Sequence, residues 1–365
     1  MNLVDIGRGG EGRPRTRPRL GFLGLGRVGL SRLDALLASD VADVVAIADP
    51  SEDALGRAAS RVPGAARGQS VRDLLEHQLD GVVIATPSGG HVEQSLAALG
   101  AGCAVFCQQP LGRNAHEVRR VVSAARTADR LLAIDLPYRH TWGMQRIRDL
   151  IRSGDLGRIF AAELVFHSAH GPDPAWYHDS RESGGGCVID LGIDMVDLAL
   201  WVLGFPGVRR VTSRLYANGD LLLPGDSRVE DYAAAMIELR SGALLTLACS
   251  WRLQAGCEAA IGASFFSPRG GAAMRNVEGA FGDFVAERFE GTARITLAEP
   301  PDAWTARGIT HWAERLAAGA GYDREAGHAI DVAQVLDAIY GREGAFVADA
   351  TEAAGGGRAF MNEAA

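Results

Sequence analysis

The chain has 365 residues, 45 acidic side chains against 37 basic ones, and a net charge of −8. That length suffices for two domains with cores of their own, and the acidic balance argues against a nucleic-acid partner. No apolar run approaches the roughly 20 residues that a membrane-spanning helix needs.

Five cysteines (Cys103, Cys107, Cys187, Cys249, Cys257) form no C-x-x-C pair. They read as reduced, buried thiols of a cytoplasmic protein. All 37 basic residues are arginine. Arginine keeps its proton near neutral pH, so any mechanism with lysine as acid or base is closed to this chain.

Residues 1–18 are polar and rich in Arg, Gly and Pro, and read as a disordered tail. An apolar run from Leu20 to Leu23 then predicts a strand. It leads into Gly24, Gly26 and Gly29, spaced G-x-G-x-x-G, and a helix with apolar positions at Val28, Leu30, Leu33, Leu36 and Leu37. In such a turn the first glycine permits the tight bend. The second, without a Cβ, lets a pyrophosphate reach the backbone, and the third lets helix and strand pack closely. Free N–H groups of the helix N-terminus, at Arg27 and Val28, would face the phosphates. A second strand, Val44 to Ala48, ends in Asp49, 20 residues after Gly29. An acid there accepts hydrogen bonds from a ribose diol and repels a 2′-phosphate, which predicts NAD rather than NADP.

Helix 51–60, with Ser51 as N-cap, and helix 71–78 precede a strand over 81–85 that stops at Thr86-Pro87. The loop there lies at the carboxyl end of the sheet, where a cofactor sits. Helix 91–99, strand 103–107 ending in Gln108-Gln109-Pro110, helix 116–128 and strand 131–136 follow. Strands alternating with helices predict a doubly wound parallel sheet over 19–137. His91 reads as ordering the cofactor loop. From 138 the pattern changes: helix 141–153, strand 160–167, a glycine-rich loop 171–186, and a strongly apolar helix 187–203. Strands at 209–216, 231–239, 244–251 and 289–297 and a helix at 324–340 complete it. This predicts a second α/β domain over 138–347 with an open, largely antiparallel sheet. A tail over 348–365 would end the chain.

In that order the chain resembles the Gfo/Idh/MocA oxidoreductases, from about Arg19 to Val347. The resemblance rests on the glycine triplet, Ala48-Asp49-Pro50, Ala85-Thr86-Pro87 with His91, Cys107-Gln108-Gln109-Pro110, and Gly184-Gly185-Gly186 followed by Asp190-Leu-Gly192 and Asp197. It implies a Rossmann domain that binds NAD, with Gln108 among the cofactor contacts. It also implies a C-terminal domain whose open sheet makes a homodimer or homotetramer. Two departures stand out. The family usually reads Glu-Lys-Pro where this chain has Gln108-Gln109-Pro110, and often Asp-x-x-x-His where it has Asp190-x-x-x-Asp194. Of the usual lysine, aspartate and histidine, only Asp190 remains.

Oxidising a secondary alcohol needs a base for the hydroxyl proton. Gln109 positions a hydroxyl but does not titrate. Asp190, Asp194 and Asp197 fall at i, i+4 and i+7 of an otherwise apolar helix, so the stripe faces a cavity or a partner. Two carboxylates one turn apart repel, and one would hold a proton near neutral pH. Asp190 and Asp194 are therefore candidate acid and base, and Asp197 reads as structural. The alternative is that Arg139 neutralises the stripe in an ion pair. His140, after the last Rossmann strand, is a further candidate base. Arg139, Tyr177 and His178 are candidate substrate contacts, the last two on a loop of the kind that closes over substrate. No metal-ligand spacing appears.

The reading is an NAD-dependent oxidoreductase acting on a sugar, cyclitol or related polyhydroxy molecule. Two alternatives stand beside it: an enzyme that oxidises its substrate transiently for elimination, epimerisation or glycoside cleavage, and a non-catalytic NAD-binding partner protein.

Overall fold

The computed structural model describes residues 17–342, Pro224 excepted. Residues 1–16 of the expected N-terminal tail and all of the expected C-terminal tail, 348–365, lie outside them. Arg17 departs from the tail expectation: its guanidinium donates to the Ala42 carbonyl at 3.0 Å and pairs with Asp40 and Asp43.

Six parallel strands form the first sheet: β1 (Arg19–Leu23), β2 (Asp43–Ala48), β3 (Ala66–Gly68), β4 (Gly81–Ile84), β5 (Ala104–Gln108) and β6 (Leu132–Asp135). Their order is β3-β2-β1-β4-β5-β6. Strands buried on both faces must be apolar at consecutive positions, and β4 is buried along its whole length. The strand order reverses between β1 and β4, which opens a crevice at their carboxyl ends. Connecting helices α1 (Arg27–Ser39), α2 (Glu52–Ala59), α3 (Val71–Leu75), α4 (Ser88–Gly100) and α5 (Ala115–Ala128) start at sites legible in sequence. Ser51 caps α2 through the Ala54 N–H, and Asn114 caps α5 through the Glu117 N–H.

The second sheet has nine strands: β7 (Ala161–Ser168), β8 (Val208–Ala217), β9 (Asp220–Leu221), β10 (Tyr232–Leu239), β11 (Leu244–Ser250), β12 (Ala259–Ser267), β13 (Gly270–Asn276), β14 (Phe284–Glu290) and β15 (Ala293–Ala298). They run β15-β14-β13-β12-β7-β11-β10-β8-β9, with β7–β11 the parallel pair and the others antiparallel. Helices α6 (Trp142–Arg152), α8 (Ile193–Leu203) and α10 (His328–Ile339) bury one face in a single core that includes Leu164, Leu245, Phe265, Met195 and Val335. A four-residue helix, α7 (Ser180–Ser183), lies in the glycine-rich loop. Along β10 the residues on the opposite face, Tyr232, Ala234 and Glu238, are half-buried, and Met236 there is 49% exposed.

The structure departs from the sequence expectations at several elements, β3 and a helix over 307–317 among the unexpected ones. The single strand expected over 289–297 is a hairpin, β14 to β15, because Gly291 takes a φ of 57° and reverses the chain. Strands β12 and β13 were not expected. Their alternation is carried by Ala, Gly and Ser, which barely register as apolar or polar. The second domain expected over 138–347 is not self-contained. Helix α9 (Arg307–Ala317) returns to the first sheet, where Ile309, Trp312 and Ala313 join the core of Phe22, Leu33 and Phe106. Trp312 packs 5.6 Å from the Phe106 ring, over Gly81, where a Cβ would stand 2.8 Å from the indole.

Candidate active site

The crevice begins at the turn from β1 into α1. Gly24 has φ +88°, and a Cβ on it would stand 2.5 Å from the Ala85 carbonyl. A Cβ on Gly29 would lie 2.0 Å from the Gly24 oxygen. Both glycines are therefore required by the fold itself. Gly26 is different: nothing of the protein lies within 4 Å of where its Cβ would be. The open space above Gly26, beside an α1 N-terminus that no side chain caps, fits a pyrophosphate.

Asp49 holds the two neighbouring loops. Its carboxylate accepts from the Leu25 N–H at 2.7 Å and the Ser51 N–H at 2.9 Å. Thr86 donates to Gln94 Oε1 at 2.5 Å. The buried His91 ring lies between the carbonyls of Pro110 and Thr86, each 2.7 Å from a ring nitrogen. Burial pushes its pKa down against the pull of those two carbonyls. His91 thus ties the Thr86-Pro87 loop to the loop after β5, and its ring nitrogens are not available to a ligand.

The other wall of the crevice is built on Glu230. This buried carboxylate accepts from the backbone N–H of Gly186 and Val188 and from the Tyr340 hydroxyl at 2.8 Å. The fit explains the glycines: a Cβ on Gly185 would lie 2.0 Å from the Tyr340 oxygen, and one on Gly186 1.9 Å from the Glu230 carbonyl oxygen. The chain leaves this anchor in a π turn, Val188–Gly192, before α8 begins. That turn overturns the expectation of one regular helix over 187–203. Its wider pitch rotates Asp190 away from the i, i+4, i+7 stripe it would share with Asp194 and Asp197, as such turns do at functional sites.

The three aspartates consequently have different surroundings. Asp197 is paired bidentately with Arg139, at 2.6 Å through Nε, and the Trp201 and Phe205 rings lie against the same guanidinium. The ion-pair alternative therefore holds for Asp197. It also leaves Arg139, expected on substrate, engaged with a buried carboxylate. Asp190 accepts from the Trp251 indole N–H at 2.9 Å, while its main-chain carbonyl accepts from Gln109 Nε2 at 2.9 Å. Burial lifts its pKa to about 6 against the opposing Trp251 hydrogen bond. Asp194 is 6% exposed, and its Oδ1 has no hydrogen-bond partner among the described residues. Burial first, then the charges of Asp197, Asp190 and Asp135, push its pKa well up, against Arg32.

Gln109 is fixed by the same contact. With its amide nitrogen on Asp190, its Oε1 is buried with no partner among the described residues, as is Oε1 of Gln108. Tyr177 stacks on Trp176 at 3.7 Å and meets Trp251 edge-on. Burial and then the Asp190 charge raise its pKa, against Arg27, so its hydroxyl stays protonated. His178, exposed, also packs edge-on against Trp251, 5.7 Å between centroids.

The structure does not bring His140 to this group. Its ring lies against Gly308 of α9, close to Asp135. Burial first, then His311, Arg139, Arg307 and Arg32, lower its pKa to about 4. Two residues that sequence reasoning missed complete the site. Trp251 follows β11 with no motif to flag it. Arg32 pairs with Asp135 at 2.5 Å, both buried, across 103 positions. An arginine beside Leu33 on the core side of α1 was the one available signal.

Residues 19–136 match the model of the oxidoreductase family NAD-binding Rossmann fold, and residues 144–264 match that of the GFO/IDH/MocA C-terminal domain. The chain belongs to the Gfo/Idh/MocA oxidoreductase family. Among its relatives, D-glucoside 3-dehydrogenase of Escherichia coli (strain K12) is 30% identical over 55% of this chain and 60% of its own length. The rhizopine catabolism protein MocA of Rhizobium meliloti is 34% identical over 52% and 58%. The chain thus spans about 60% of the length of these curated relatives. The fold is that of levoglucosan dehydrogenase, solved with NADH and levoglucosan: TM-score 0.75 and 20% identity, covering 89% of this chain and 96% of that one. As in the family, the N-terminal domain is an NAD-binding one. No described helix is long and apolar enough to cross a membrane.

Proposed function

We propose that this chain transfers hydride between NAD and a secondary alcohol of a sugar, cyclitol or related polyhydroxy molecule, with Asp190 as the proton acceptor in place of the missing lysine. One observation carries the assignment. Of four neighbouring carboxylates, Asp197 is paired with Arg139 and Asp135 with Arg32, and burial pushes the pKa of Asp194 well up. Asp190 is left as the one that titrates near pH 6. The D-glucoside 3-dehydrogenase relative and the levoglucosan complex support the substrate class.

NAD, when bound, supplies the hydride acceptor. Gly26, Arg27 and Val28 would hold its pyrophosphate, Asp49 its adenosine ribose, and the Thr86-Pro87 loop and Gln108 its nicotinamide half. The remaining chemistry belongs to the chain. Gln109 Nε2, donating to the Asp190 carbonyl, holds that residue in place. The substrate hydroxyl donates to the Asp190 carboxylate, which takes its proton, and the Trp251 indole N–H steadies the carboxylate. Asp194 would bind a neighbouring substrate hydroxyl. Tyr177 and His178 cover the substrate from the glycine-rich loop.

The uncovered face of the second sheet, with Met236 and Ile295 about half exposed, supports assembly into a homodimer or homotetramer through that sheet. The functional reading is tested by titrating purified protein with NAD and NADP and screening sugars and cyclitols for NADH formation. NAD bound at least tenfold more tightly than NADP, with NADH formed on a carbohydrate, is the expected result. Tight NAD binding with no NADH formed on any of them would refute the dehydrogenase reading.

A further inference from the structure

A groove of about 220 Å³ opens beside the crevice and shares Trp251 and His178 with it, while its other lining residues have no part in the hydride transfer. Its inner wall is Trp251 and His178. The same Trp251 indole binds Asp190 through Nε1, so the groove and the reacting position lie against one ring. The groove is fixed by backbone as well: the Trp251 N–H donates to the Asp231 carbonyl at 2.7 Å, and the Asp231 carboxylate accepts from the Asn218 N–H at 2.8 Å.

The rest of the lining combines the small apolar Ala217 and Val229 with the planar polar groups of Asn218, Asp231, Arg228 and Arg252. Arg228 is already held by Asp226 at 2.9 Å and Asp220 at 3.2 Å, so the groove is not a strongly positive pocket. Arg252 is exposed and forms no ion pair among the described residues. Asn218 and Arg252 both take left-handed backbone conformations, at φ 52° and 58°. For Asn218 this is the ordinary conformation of the Asn218-Gly219 hairpin turn between β8 and β9. The groove lies below the roughly 300–1,000 Å³ of pockets for drug-sized ligands. That leaves room for one ring and excludes a nucleotide.

An aromatic wall with flanking planar donors and acceptors, and no excess charge, suits a neutral pyranose ring. The wall offers its face to sugar C–H bonds, and the carboxylate, amide and guanidinium bind hydroxyls. We infer that this groove binds the second sugar ring of a glycoside, so that the chain acts on a disaccharide or larger glycoside in preference to the free monosaccharide. The inference rests on the proposed dehydrogenase reading and narrows its substrate class.

The test pairs each monosaccharide with disaccharides that contain it: glucose with cellobiose and maltose, galactose with lactose. NAD-loaded protein is titrated with each by calorimetry, and NADH formation is followed in parallel. For at least one pair, the disaccharide should bind about tenfold more tightly than its monosaccharide, the value of one or two well-placed hydrogen bonds. Arg252→Gly and Asn218→Gly should each lower that ratio several-fold. Glycine adopts both backbone conformations without strain, so either variant can report. Equal or weaker disaccharide binding in every pair, or a ratio unmoved in both variants, would overturn the inference. So would tighter binding of glucuronate or glucose 6-phosphate than of any disaccharide, which would make the groove an anion site. If no sugar yields NADH, the dehydrogenase reading fails while the calorimetric ratio still judges the groove. If no sugar binds at all, both fail.

Discussion

The basicity that suits Asp190 to the proposed role comes from its burial. Its pKa of about 6, against the ordinary 3.8, means that the folded chain holds this proton more tightly than the unfolded chain does. The penalty on folding is absent below about pH 4, grows as pH rises and is complete above about pH 6. Near neutrality it amounts to roughly 1–3 kcal/mol. Asp190→Asn should therefore melt higher than the parent at pH 8, by a few degrees, with a smaller gap at pH 5. Differential scanning at the two pH values checks this, and an equal gap at both would refute it. Gln109→Ala should leave NAD affinity unchanged and lower kcat/KM about tenfold, because Asp190 loses the hydrogen bond that fixes it. At this scale the sequence was legible where chemistry is local. Gly24, Gly26, Gly29 and Asp49 sit at fixed offsets within one strand-turn-helix unit. The partners of Asp135 and Asp190 were not legible, since Arg32 and Trp251 reach them across 103 and 61 positions.

The Val188–Gly192 turn is the element that sets the site's geometry, and Glu230 with three glycines sets the turn. Gly186→Ala would drive a methyl group into the Glu230 backbone, and a shift there moves Asp190 off Gln109. The expected outcome is a loss of at least 3 kcal/mol of stability in denaturant unfolding, together with loss of activity. Glu230→Gln keeps the shape and should be milder, since an amide oxygen still accepts from the Gly186 or Val188 N–H. The apolar run over 187–203 showed a buried helix, and the glycines showed a close approach. Nothing in the composition marked the change of pitch, because a π turn uses the same residue types as an α-helix. Strands β12 and β13 were hidden for a related reason. Ala and Gly satisfy a tightly packed sheet interior without making an amphipathic pattern.

At the scale of the whole molecule, the chain crosses from the first sheet to the second and then returns. Helix α9 docks on the Rossmann sheet, and α10 shares both cores, Val335 with one and Ala333 with the other. A Trp312→Ala change should cost about 3–5 kcal/mol and loosen the Rossmann half rather than the second sheet. Hydrogen exchange should show the loss of protection at β5 and α1. A boundary near 138, drawn where the strand-helix pattern changes, missed this return, because α9 was not expected and the sheet it packs on lies far away in sequence. The same scale decides oligomeric state. Met236→Arg on the uncovered face should shift the chain toward monomer in light scattering if that face is the interface.

The central claim is that Asp190 does the proton work that a lysine does elsewhere in the family. The measurement that tests it most directly is kcat/KM against pH for NADH formation, in the parent chain and in Asp190→Asn. The parent should gain activity as pH rises through about 6, when the carboxylate loses its proton. The variant should be at least a hundredfold slower and should lack that limb. A variant within threefold of the parent, with the limb intact, would contradict the account and place the base on another residue.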